Sequence, residues 1–161
     1  IESLGGAQFA VASTVDRLRS FADEVDPDRR DYHAVVLAAA DPANPYGAAL
    51  PWPTRRVDDD VAHRPGRKAG ALVALVDGEL AWYLERGGRT LLTFLDDPAT
   101  HNAAAAAVAE LVTDGRIQGL LIEKVDGVPV LEPGVDTTRA AVHDALVGAG
   151  FARTPRGLRL R

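Results

Sequence analysis

R-K-A-G-A-L-V-A-L-V-D-G-E-L-A-W-Y-L-E-R-G-G-R-T-L-L-T-F, from Arg67 to Phe94, decides the fold. Three apolar runs are separated by Asp77-Gly78 and Gly87-Gly88. Asp-Gly between apolar runs is a strong hairpin signal, because both central residues of a type I′ turn need positive φ. The stretch therefore predicts a three-stranded meander over Ala69 to Phe94. Trp82 and Tyr83 are neighbours on its second strand, so they should point to opposite faces, one inward and one outward.

Outward from the meander, His33 to Ala40 reads as a buried strand by its β-branched apolar run. A proline-rich stretch from Asp41 to Pro65 holds Tyr46, Leu50 and Trp52. That is too much apolar surface for a free linker, so it should be an ordered loop laid over the sheet, most mobile at Asp58 to His63. After the meander, Asp97-Pro98 opens a helix as N-cap and first turn, Ala104, Val108 and Leu111 form its buried stripe, and Gly115 closes it. Leu120 to Val125 and Val128 to Leu131 flank an Asp126-Gly127 turn as one further hairpin, with Pro129 placing the second strand on an edge. Asp136 caps a last helix with Val142 and Leu146 inward and Gly150 as its stop. Phe151 to Arg161 should form a short strand pair, or a strand and tail, around Pro155-Arg156-Gly157. Near the start, Ser13 should cap a helix with Leu18 and Phe21 on one face, ended by Asp26-Pro27-Asp28. The order predicts an α+β fold: a curved antiparallel meander, β-barrel-like, with two to three flanking helices.

The chain has 161 residues, 47% apolar and 25% charged, which suits a globular domain that needs no staples. It contains no cysteine, which excludes disulfides, thiolate metal sites and cysteine nucleophiles and fits a reducing, cytoplasmic setting. It contains no methionine either, so it reads as a piece of a longer product. No run of 18 or more apolar residues predicts a membrane span. The net charge of −5 argues against a dedicated nucleic-acid-binding domain, but local patches set the field that a phosphate backbone feels.

The words of nucleotide-binding loops, G-x-x-x-x-G-K-[ST] and G-x-G-x-x-G, are absent. His33, His63, His101 and His143 lack metal-site spacing. No serine sits in a nucleophile elbow. Glu79, Glu85, Glu123 and Asp126 could each serve as a lone carboxylate base, but turn or solvent-facing roles explain them more simply. Aromatic groups beside positive charge are what single strands need. Trp52 stands just before Arg55 and Arg56. Arg67 and Lys68 open the meander, and Arg86 and Arg89 flank its second turn. Arg153 and Arg156 belong to an acid-free C-terminal run. These nine residues are the candidate nucleic-acid contacts; no catalytic or metal residue is assigned.

The words D-P-A-N-P-Y-G-A-A-L-P-W-P (Asp41 to Pro53), R-P-G-R-K-A-G-A (Arg64 to Ala71) and E-R-G-G-R-T-L-L-T-F (Glu85 to Phe94) resemble the C-terminal end of the bacterial large helicase-related (Lhr) proteins. The opening I-E-S-L-G-G-A-Q-F-A with T-V-D-R-L-R (Thr14 to Arg19) looks like the end of that family's last winged-helix unit. The resemblance implies a superfamily 2 helicase whose ATPase core, with its ATP and Mg, lies upstream and moves 3′ to 5′ on single-stranded DNA, opening DNA or RNA:DNA duplexes. Residues 1–26 would be the end of the preceding winged-helix unit with a connecting helix, and residues 27–161 the terminal module. Its expected partners are single-stranded DNA or an RNA:DNA hybrid, the neighbouring winged-helix domains and a second copy of itself, and no membrane. Uracil glycosylase activity is attributed to this extension in some members, with an acid near the extreme C-terminus. Here the chain ends G-L-R-L-R, with no acid after Asp144, so no catalytic residue carries over.

Overall fold

The computed structural model describes residues 11–23, 32–54, 63–132 and 136–161. The chain divides into two compact units, Ile1–Asp31 and Tyr32–Arg161. Within the first, helix α1 spans Ala12–Asp23. The Val11 carbonyl accepts from the amides of Thr14 and Val15, so Val11 starts the helix. Ser13 falls inside the first turn and is not the cap. The side chains of Leu18 and Phe21, the Asp26–Asp28 stop and the opening ten residues lie outside the described residues.

Among its described residues the second unit holds a six-stranded sheet, a three-stranded sheet and two helices. The large sheet is built from β1 (Ala34–Ala38), β2 (Leu72–Val76), β3 (Glu79–Leu84), β4 (Thr90–Thr93), β6 (Lys124–Val125) and β7 (Val128–Pro129), in that spatial order. The meander is present as expected, with Asp77 at φ 50° and Gly78 at φ 84° in its first turn. The sheet is open, with β1 and β7 at its edges. Pro129 thus sits on an edge strand, where no ladder donor is required of it.

Three features depart from the sequence reading. β1 is half exposed, not buried, because it is an edge strand; Val35 faces solvent. Leu120 to Val125 is not one strand. It divides at Glu123 into β5 (Leu120–Ile122), which joins the small sheet, and β6, which pairs with β4 in parallel. Trp82 and Tyr83 do lie on opposite faces, but both are fully buried.

Cover on both faces of the sheet explains the last point, and the register sets which face each side chain takes. Ala74 opposes Trp82 and Leu75 opposes Leu80, which leaves Ala81 as an extra residue on β3. Such a bulge adds twist and shifts which side chains share a face. Ala81 and Trp82 both enter the core under the helices, while Leu80 and Tyr83 enter a second core on the other face.

The first core lies beneath α2 (Pro98–Thr113), which packs on β1, β2 and β3 and on α3 (Thr137–Gly148). Asp97 caps α2 through the Thr100 amide and Asp136 caps α3 through the Thr138 amide. The small sheet, β5 with β9 (Gly157–Leu160) and β8 (Ala152–Thr154), adds Ile122 and Leu158 to this core. Gly157 sits at φ 149° where a Cβ would run into the Ile122 carbonyl, so glycine is needed there. The second core is closed by the segment from Ala39 to Trp52, which lays Tyr46 and Trp52 against the sheet.

Candidate nucleic-acid interface

The second core decides the fate of several candidate contacts. The Trp52 ring lies 6.3 Å from Tyr46 in a stacked pair and 5.7 Å from Tyr83 edge-on. The ring is thus engaged with two protein aromatics and half-buried. The Tyr83 hydroxyl donates to the Gly66 carbonyl at 3.1 Å, and burial raises its pKa. Arg67 uses its planar fork inward. Nη1 donates to the Asn44 and Tyr46 carbonyls at 2.8 and 3.3 Å, and Nη2 to those of Ala40 and Asp41 at 3.1 and 2.9 Å. Five donors in a rigid fork suit that task, which one lysine ammonium could not fill. Arg67 clamps the loop. Arg55 and Arg56 lie outside the described residues.

The remaining basic candidates are exposed. Arg86 lays its stem against Gly70, in the turn that follows Lys68; the Lys68 ammonium donates to the Arg64 carbonyl. Arg89 lies at the other end of the same turn as Arg86. Its carbonyl accepts from the amides of both Glu123 and Lys124, at 2.8 and 3.0 Å. Arg156, from the β8–β9 turn, donates to the Glu123 carboxylate at 2.6 Å. Three segments far apart in sequence thus bring Arg89, Lys124 and Arg156 around Glu123. Arg159, on β9, continues the row opposite Leu121. Glu123 pairs with Arg156 alone among the described residues, so Arg89, Lys124 and Arg159 leave the rim with more positive than negative groups. Lys124 and Arg159 were not singled out by the sequence. Lys124 opens β6 after the break at Glu123 and is exposed, while the next residue, Val125, is buried. Arg153 takes another direction and meets His143 on α3, with Nη2 to Nε2 at 2.9 Å.

The four carboxylates weighed as lone bases have settled surroundings. Glu79 is exposed at the first turn of the meander. Glu85 lies 2.9 Å from His63 Nδ1. Glu123 is bound by Arg156. Asp126 is buried, with its oxygens accepting from the Thr93 amide at 3.0 Å and the Thr93 hydroxyl at 2.6 Å. It lines an open cavity of about 230 Å³ with Asp96 and Asp136. Among the described residues no group of three or more His, Asp or Glu side chains is placed to hold a metal ion. No described helix is long and apolar enough to cross a membrane.

Fold and rim together define a compact α+β module that displays a row of basic side chains gathered from separate turns and strands. No family model matches the chain. Its full length is 70% identical to part of a Mycolicibacterium smegmatis protein named Lhr helicase/probable uracil glycosylase. A second match, covering 98% of the chain at 36% identity, is to an Escherichia coli protein named Lhr helicase/uracil glycosylase. The chain belongs to the Lhr helicase family and spans about a tenth of the length of these relatives.

Proposed function

We propose that this chain is the non-catalytic C-terminal module of an Lhr-type 3′-to-5′ DNA-repair helicase, and that it holds nucleic acid for a motor that lies elsewhere in the protein. ATP and Mg belong to that motor in this reading. The single observation that carries it is the gathering of Arg89, Lys124 and Arg156 about Glu123, with Arg159 on the neighbouring strand. Such a row would track a phosphate backbone by charge, without reading bases. Single-stranded DNA or an RNA:DNA hybrid is the expected ligand, and packing on neighbouring winged-helix domains or on a second copy the expected second role.

The test is binding of labelled single-stranded and duplex DNA to this chain across a salt series. Removing the partner of one phosphate should lower the log–log slope by roughly 0.7 for single strands and 0.9 for duplex. Arg89→Ala with Lys124→Ala should reduce the slope by the equivalent of about one to two phosphates on that scale. An unchanged slope, or no binding at low salt, would remove the rim from the mechanism and favour a structural cap.

A second reading rests on Asp126. The relatives' names include uracil glycosylase, and this is the buried carboxylate beside an open cavity. A carboxylate that activates water is the minimum such chemistry needs. Uracil release from a single strand by this chain, abolished in Asp126→Asn with the fold intact, would establish it. No release by the wild-type chain would end it.

A further inference from the structure

Between the β6–β7 hairpin, α3 and β8 lies a cavity of about 410 Å³, separate from the rim. That is within the range of small-molecule sites, about 300 to 1,000 Å³. One wall is apolar, formed by Val125, Pro129, Val130 and Leu131. The other carries Arg139, His143 and Arg153. A site with one greasy wall and a few placed polar groups suits a ring with a polar substituent.

The polar wall is internally ordered. Arg139 Nε donates to Asp136 Oδ2 at 3.1 Å, while the other Asp136 oxygen caps α3. His143 Nδ1 lies 3.0 Å from Asp144 Oδ1. Arg153 brings Nε and Nη2 to 3.3 and 2.9 Å from His143 Nε2. A carboxylate on one ring nitrogen and a guanidinium on the other fix the tautomer: Nδ1 carries the proton and Nε2 accepts. Arg153 therefore rests on a neutral lone pair. Among the described residues it meets no carboxylate at ion-pair distance. This is a weak use of a group that pairs best with oxyanions. Two acids around it are already engaged. Asp136 holds Arg139 and the helix end, and Asp144, with its side chain 82% exposed, holds His143 from the solvent side. Glu132, beyond β7, is the remaining carboxylate of the lining.

We propose that this cavity binds a phosphate monoester carried on a planar ring, the chemistry of a mononucleotide, either free or as the 5′-terminal nucleotide of a strand. The phosphate takes the place of His143 Nε2 as the partner of Arg153, with Arg139 close by, and the ring lies on Val130 and Leu131. His143 keeps its Nδ1–H on Asp144. The charged groups that face His143 are Asp136, Arg139 and Asp144 from its own helix, Arg153 from β8 and Glu132 beyond β7.

The experiment is calorimetry on the whole chain with thymidine 5′-monophosphate, thymidine and inorganic phosphate at neutral pH. The nucleotide should bind. Thymidine should not bind. Arg153→Gln and His143→Gln should each weaken binding by roughly tenfold with an unchanged circular dichroism spectrum. No nucleotide binding would overturn the proposal, as would affinities that neither substitution moves. Inorganic phosphate binding as tightly as the nucleotide would overturn the role of the apolar wall. A 5′-phosphorylated oligonucleotide that displaces the nucleotide, where its 5′-hydroxyl twin does not, assigns the strand end. Failure of both oligonucleotides to displace it assigns the free nucleotide. The small ligand reads this cavity even if the rim binds no strand.

Discussion

On one face of the six-stranded sheet two helices cover Trp82; on the other a proline-rich segment covers Tyr83. Both side chains are buried, but by different means. The helical face is a broad apolar core in which Val108, Val142 and Leu146 meet side chains from both sheets. The loop face is smaller. It depends on three aromatic rings, the buried Asn44 and the four carbonyls held by Arg67. A helix satisfies its own backbone, and a loop does not, so the loop cover must import donors. The helical face should therefore fail globally and the loop face locally.

The largest expected effect is at Trp82. Trp82→Ala empties the middle of the helical core and removes the 3.0 Å bond from Nε1 to His101 Nδ1. The loss should be about 3–5 kcal/mol, read as a lower urea midpoint with one cooperative transition. A loss near 1 kcal/mol, roughly the average for a point substitution, would mean that the helices do not carry the fold.

Arg67→Ala sharpens the contrast from the other side. It strips a donor from four carbonyls at once, at an expected cost of about 1–3 kcal/mol. Amide exchange at Gly47 and Leu50, whose bonds lie within the loop, should quicken while β3 stays protected. Arg67→Lys should rescue little, since one ammonium cannot span the fork's partners. Equal quickening of β3 would show that the two faces open together.

The difference between the faces also marks what the sequence could show. Asp77-Gly78, Asp97-Pro98 and Asp136 are local signals, and each turn or cap forms at the position its residues predict. Val142 and Leu146 follow from helical spacing. The burial of both Trp82 and Tyr83 does not follow, because it needs a loop that returns from residues 46–52 to cover the second face. The division of Leu120 to Val125 is likewise non-local, because it is set by β9 taking β5 and β4 taking β6. The rim was half legible. Arg89 and Arg156 stood out as charges beside turns, but only the parallel β4–β6 pairing puts Lys124 next to them. Arg67 and Trp52 look like ligand-binding groups in the sequence because the same fork and ring serve either purpose.

A smaller, pH-dependent effect belongs to the helical face alone. His101 is fully buried, its Nδ1 accepts from Trp82, and its Nε2 has no hydrogen-bond partner among the described residues. Burial lowers its pKa below the ordinary 6.5, against the opposing pull of Asp96, Asp97 and Asp126. The unfolded chain then binds the proton more readily than the folded one. Stability from this group is complete above pH 6.5 and declines as pH falls from there toward the folded value. The slope cannot exceed about 1.4 kcal/mol per pH unit for one proton. His101→Gln should flatten the fall of the urea midpoint over that window. A fall of equal steepness in the variant would place the pH dependence on other groups.

The smallest effect on stability should come from the rim. Arg89 and Lys124 are exposed and belong to neither core, so Arg89→Ala with Lys124→Ala should shift unfolding by no more than about 0.5 kcal/mol. Even the 2.6 Å pair of Arg156 with Glu123 has its arginine 62% exposed, where solvent screening leaves about 0–1 kcal/mol. Side chains that contribute so little to folding are free to serve a ligand, and the two roles separate in one pair of variants. If strand binding weakens while the urea midpoint stays put, the rim is a surface held ready by both faces of the sheet. If the midpoint falls along with binding, Arg89 is instead part of what ties β4 to β6, and the rim is scaffold.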